Sequence, residues 1–103
     1  MNTNITMKTA EITDKEDLRS LFNVDAQFVN QDNQYFENYS SQDEIPFDSV
    51  LKRHDWKHDL DKVVRLLGEK LLDFDSDFVH FDYEILDIKG CKVVSVVFAN
   101  LDY

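Results

Sequence analysis

The sequence predicts an α+β domain. A short N-terminal helix and one long amphipathic helix are expected to pack on a small antiparallel sheet that contains a C-terminal β-hairpin. Three patterns lead there: a capping-box signature at Thr13–Glu16, a helical apolar stripe between Asp55 and Leu72, and alternating residues on either side of Lys89-Gly90. A length of 103 residues leaves room for one core, so 1–103 reads as a single acidic domain, with 1–10 expected to fray.

Residues 1–12 are polar, with Ile5, Met7 and Ile12 as the main apolar anchors, and they are expected to lead into an edge strand. In Thr13-Asp14-Lys15-Glu16, Thr13 and Glu16 can satisfy each other's free backbone donors. The helix started there runs to about Phe22 and turns Leu18, Leu21 and Phe22 inward. Residues 20–51 mix Asn and Gln with Phe28, Tyr35, Phe36, Tyr39 and Phe47, and no Lys or Arg falls between Arg19 and Lys52. They read as loop with short helical pieces, ending where Pro46 can start a helical turn.

From Asp55 to Leu72, apolar residues recur at three- and four-residue steps: Trp56, Leu60, Val63, Val64, Leu67, Leu71 and Leu72. Gly68 inside this helix costs up to about 1 kcal/mol relative to Ala, which marks a close crossing with a neighbouring element. In the C-terminal third, a two-residue Lys89-Gly90 turn pairs Ile88 with Cys91. The register then sets Phe81 opposite Phe98, Tyr83 opposite Val96 and Ile85 opposite Val94, with Asp87 opposite Lys92 at the solvent edge. A one-residue slip would scatter this apolar face, and the long helix is expected to cover it. The other face sets His80, Asp82 and Glu84 against Ser95, Val97 and Ala99, and is either solvated or covered by the N-terminal strand. The segment VHFDYEILDIKGCKVVSVVF resembles the hairpin of Schlafen-type AlbA domains of bacterial regulators, over about a fifth of the chain. That resemblance implies nucleic-acid binding, which the charge of the chain opposes.

Against 11 Lys and Arg stand 21 Asp and Glu, a formal net charge of -10. Such a surplus aids solubility and repels nucleic acids and anionic membranes, which need a basic footprint. Cys91 is the only cysteine, so an intramolecular disulfide is impossible; it reads as a core thiol. Neither a signal-peptide apolar core nor a membrane-length apolar run occurs, and a cytoplasmic, reducing setting is expected.

Two motifs could carry chemistry. His54-Asp55-Trp56-Lys57-His58 resembles the metalloprotease pattern H-E-x-x-H, with Asp one methylene short of the usual Glu and no clear third ligand. Asp73-Phe74-Asp75-Ser76-Asp77 begins like a calcium loop with Glu84 at its twelfth position, but Phe78 stands where the sharp turn needs glycine. Neither motif is complete, so no cofactor and no metal are expected.

The acids are segregated. Asp25, Asp32, Glu37, Asp43, Glu44 and Asp48 occupy one stretch, and Asp73, Asp75, Asp77, Asp82, Glu84 and Asp87 another, neither interrupted by Lys or Arg. Carboxylates two apart in extended chain sit about 6.5–7 Å from each other on one side, comparable with the repeat of phosphates along a nucleic-acid strand. The expected function is therefore a non-enzymatic inhibitor of DNA-mimic type, as in anti-restriction or anti-CRISPR proteins. It would block a basic nucleic-acid-binding surface of a nuclease or similar partner through Asp32, Glu37, Asp43, Glu44, Asp73, Asp75, Asp77, Asp82 and Glu84. Tyr35, Phe36 and Tyr39 would anchor it. Two alternatives stay open: an immunity protein or antitoxin neutralising a basic nuclease toxin, and a metal-binding protein or hydrolase using His54 and His58.

Overall fold

The computed structural model describes residues 2–29 and 47–102. In chain order they form β1 (Asn2–Glu11), α1 (Lys15–Leu21), α2 (Ala26–Val29), α3 (Phe47–Arg53), α4 (Leu60–Phe74), β2 (Phe78–Ile88) and β3 (Cys91–Asp102). The strands make one antiparallel sheet in the order β1-β3-β2, and α1 and α4 pack against β1 and β2 respectively. The fold class is the expected one: α+β, with a C-terminal hairpin and one long helix.

The hairpin takes the predicted register, with Phe81 opposite Phe98, Tyr83 opposite Val96, Ile85 opposite Val94 and Ile88 opposite Cys91. Lys89 and Gly90 both have positive φ, 53° and 83°, as a type I′ turn demands. Asp87 fixes the turn from outside, accepting the Gly90 N–H at 3.1 Å and the Lys92 ammonium at 2.8 Å. At the other end of β2 the register shifts between Phe78 and His80, so Val79 is an extra residue on its strand. The bulge reverses the alternation, turning Phe78 into the core and leaving Val79 exposed.

β1 is the expected edge strand, and it corrects two other expectations: a frayed start, and Ile5 and Met7 as core anchors. Asn2–Glu11 is paired to β3 along its whole length rather than frayed, and it lies beside the hairpin, not across its second face. Ile5 and Met7 are not core anchors; Thr6, Lys8 and Ala10 face the helices instead. A strand can present only one parity inward, and here the even one has the better partners. Lys8 Nζ donates to Ser20 O and Asn23 O, both at 3.2 Å, capping the C-terminal end of α1, while Ala10 and Ile12 pack against the core.

Helix α1 starts one residue later than the capping signature suggested. Asp14, not Thr13, is the N-cap, and Asp17, not Glu16, closes the box. Asp17 Oδ2 accepts from Thr13 N at 2.7 Å, Thr13 Oγ1 at 2.7 Å and Asp14 N at 3.0 Å. Leu18, Leu21 and Phe22 point inward as expected. Helix α4 begins at Leu60 rather than Asp55, because Asp55 takes the backbone N–H groups of Lys57 and His58 and holds His54–Asp59 in a turn. Its buried stripe is Leu60, Val63, Val64, Leu67, Gly68 and Leu71. Gly68 does mark a close crossing: a Cβ there would overlap the Phe81 ring.

The buried residues join in one cluster built around Phe22, whose ring lies 5.6–6.4 Å from those of Phe28, Phe47, Phe81 and Phe98. Arg19 closes its rim. The guanidinium sits 4.9 Å above the Phe47 ring, pairs with Asp48 at 2.7 Å and donates to Val29 O, tying α1, α2 and α3 together.

Two outcomes follow. Gly68→Ala gains about 1 kcal/mol of helix propensity but overpacks Phe81 at a cost of roughly 1–3 kcal/mol. Thermal melting should show a lower Tm, partly restored by adding Phe81→Leu. The three hydrogen bonds from Thr13 and Asp14 hold the Asp17 carboxyl below its usual pKa. A depressed folded-state pKa contributes stability above the unfolded value, lost as pH falls through the folded one. Asp17→Asn should therefore lower Tm at pH 7, and the gap from the parent should shrink towards pH 3.

Candidate functional site

Among the described residues the helices cover only one face of the sheet. On the other face β1 contributes Ile5, Met7, Thr9 and Glu11, β3 contributes Cys91, Val93, Ser95, Val97 and Ala99, and β2 contributes His80, Asp82, Glu84, Leu86 and Ile88. Rows run straight across the strands: Ile5–Ala99–His80, Met7–Val97–Asp82 and Thr9–Ser95–Glu84. The third row is joined by a hydrogen bond between Thr9 Oγ1 and Ser95 Oγ, at 2.9 Å. Ile5, Met7, Leu86 and Ile88 are 61%, 74%, 45% and 50% exposed, which places most of the large exposed aliphatic residues of the described chain on this one face. Scattered apolar residues are normal on a surface, whereas a shared face is not.

The face carries no Lys or Arg. Lys8 and Lys92 project to the helix side, Lys89 sits in the hairpin turn, and the remaining basic residues lie on the helices and their connections. Its carboxylates are Glu11, Asp82 and Glu84. Asp82 and Glu84 stand two apart on an extended strand, and this pair keeps the phosphate-like spacing expected of the whole stretch.

The other acids of that stretch are not in the row. Asp73 lies in the last turn of α4, Asp75 is its C-cap, and Asp77 lies in the turn that follows, where its N–H donates to Asp75 Oδ1 at 3.0 Å. Asp87 is engaged with Lys92 on the helix side. The second acidic stretch is thus divided among a turn, an open face and a hairpin tip, because the chain passes from helix to strand within it. Asp73, Asp75, Asp77, Asp82 and Glu84 make no ion pair among the described residues. Asp32, Tyr35, Phe36, Glu37, Tyr39, Asp43 and Glu44 lie outside the described residues.

The calcium-loop reading fails on geometry. Glu84 lies six residue steps along the strand from Phe78, about 20 Å, so it cannot close a loop around Asp73–Asp77. The His54–His58 spacing is not helical, which removes the shared helix face that a two-histidine zinc site needs. His58 Nδ1 instead meets Asp55 Oδ2 at 2.5 Å. That hydrogen bond, with the Asp55 charge, raises the His58 pKa above its usual value and lowers that of Asp55. Among the described residues no group of three or more His, Cys, Asp or Glu is placed to hold a metal ion. A concavity lined by Asn4, Thr6, Lys8, Asn23, Phe78 and Asn100 holds one titratable side chain, Lys8, whose ammonium already donates to two carbonyls.

Cys91 is exposed, not a core thiol, because odd positions of β3 face away from the helices. A hydrogen bond to Glu11, together with its charge, pushes the thiol pKa up, the reverse of what a nucleophilic cysteine requires. The aliphatic set on the open face is what sequence reasoning missed. Its signal was the alternation of Ile5 and Met7 with Thr6 and Lys8, which specifies a two-sided strand but not which side the helices take.

No protein-family model, curated protein or solved structure matches this chain. Among the described residues no helix is long and apolar enough to cross a membrane.

The His58–Asp55 pair gives a direct test. In an NMR titration the His58 ring should change protonation above the ordinary value near 6.5, and Asp55→Asn should return it towards that value.

Proposed function

We propose that this chain is a non-enzymatic acidic inhibitor that binds a basic nucleic-acid-handling protein and occupies its nucleic-acid-binding surface. The observation that carries the reading is a set of carboxylates without an ion pair among the described residues, Asp73, Asp75, Asp77, Asp82 and Glu84, on a chain of net charge -10 whose lysines and arginines lie elsewhere. Unpaired acids keep their field for a partner, so they steer a cationic surface from a distance and set the register once it arrives. A nuclease or another nucleic-acid-binding enzyme fits this chemistry, whether it belongs to a defence system or is a toxin. An exposed single thiol suits a reducing, cytoplasmic setting.

The test is affinity capture of partners at rising salt, from about 50 mM to about 500 mM, with duplex DNA as competitor. Captured proteins should be basic nucleic-acid binders, released by both salt and DNA. The triple variant Asp75→Lys, Asp77→Lys, Asp82→Lys should lose capture while keeping its Tm within a few degrees. Salt-independent capture of a neutral partner would sink the reading.

A further inference from the structure

We propose that the face of the sheet left open by the described residues is a docking surface for a basic amphipathic helix of the partner protein. The inference rests on the acidic-inhibitor reading and gives it a place.

The sheet's occupied face shows what fits a sheet of this width. There α4 lays Val64, Leu67 and Gly68 towards the strands, with Phe81 against Gly68 and Tyr83 Oη bonded to Asp61 at 3.0 Å. On the open face, Ile5 and Met7 of β1 lie beside Ala99 and Val97 of β3 in neighbouring rows. Two strands side by side span about 10 Å, the diameter of a helix with its side chains. That aliphatic track is flanked by Asp82 and Glu84 on β2 and ends at Glu11 on β1. A helix resting on it would hold an apolar stripe against Ile5, Met7 and Val97 and reach Asp82 and Glu84 with Lys or Arg from its flank. The apolar contact supplies binding free energy that exposed charges do not, and the carboxylates select a cationic partner.

Charge also decides against a second copy of this chain as the occupant. Two copies, each at -10, would press faces without Lys or Arg against each other, setting like charges together. A nucleic-acid-contacting helix has the required character, since such elements present Lys and Arg along one side.

The probe is a synthetic amphipathic helix with a leucine stripe flanked by lysines, titrated into the isotope-labelled full chain and followed by NMR. The same peptide with glutamate for lysine serves as the control. Amide shifts should centre on Met7, Asp82, Glu84 and Val97 and be absent with the acidic peptide. Asp82→Lys with Glu84→Lys should weaken binding at least about tenfold, and Met7→Ser should weaken it with no change in charge. Asp59→Lys with Glu69→Lys makes the same change in net charge on the helix side and should leave affinity within about twofold. Shifts confined to the helix side or to the Asp73–Asp77 turn would overturn the assignment of this face. So would sedimentation as a dimer joined through it, or no binding of the basic peptide. If partner capture survives the Asp82/Glu84 reversal but fails on reversing Asp73, Asp75 and Asp77, this face is excluded and the inhibitor reading stands. If both reversals leave capture intact, the two fall together.

Discussion

The fold depends on the burial of one ring, that of Phe22. It is the C-cap of α1, with its N–H bonded to Leu18 O at 3.2 Å, so backbone and side chain are fixed at the same point. Around the ring stand one phenylalanine each from α2, α3, β2 and β3. Offset and edge contacts of this kind add to the area term, and they are directional enough to specify how the elements meet. Arg19, one turn back along α1, seals the same junction with a cation over Phe47 and an ion pair to Asp48. Partly buried charge is tolerable there because the guanidinium has a carboxylate and a carbonyl to bond.

What the sequence made legible was set by local periodicity. The hairpin register follows from a two-residue turn and a period of two, and both constraints are satisfied by one alignment only. The stripe of α4 and the crossing at Gly68 were legible for the same reason, since a glycine in an amphipathic helix needs a cause. Features decided by competition between neighbours were not. Thr13 and Asp14 are both good caps, and the choice fell to whichever let Asp17 reach back to three donors. Asp55 could open a helix or a turn, and bonding to two downstream amides and to His58 made it a turn. Ile5 and Met7 are apolar in either orientation, and what turned them outward was Lys8, whose ammonium has two carbonyls to satisfy at the end of α1. Of the second acidic stretch, among the described residues, the phosphate-like row is kept at Asp82 and Glu84, because spacing along a sequence becomes spacing in space only where the chain stays extended.

The molecule is therefore two-sided in a way that composition cannot express. Its helix layer mixes charges of both signs, with ion pairs and a Lys57–Trp56 contact at 5.6 Å, the usual make-up of a solvated surface. The open face of the sheet has acids, a histidine, hydroxyls and aliphatics, but no Lys or Arg. Self-repulsion of a chain at -10 discourages this face from pairing with itself, so the same imbalance that costs some compactness also keeps an apolar patch from becoming an aggregation site.

The strand order β1-β3-β2 has a consequence in time. β3 is the centre of the sheet and the last strand in the chain, while β1, its neighbour, is the first, so pairing Glu11 with Val93 joins residues about 80 positions apart. At translation speeds of about 5–20 residues per second, β1 waits roughly 4–16 s on the ribosome before its partner exists. The hairpin with α4 can assemble from contiguous chain, and the long loop closes last. Until it closes, the outer edge of β3 stands open as a template for any other strand. The threonines and asparagines that alternate through β1 suit that interval, since a strand too polar to aggregate alone can afford to be early.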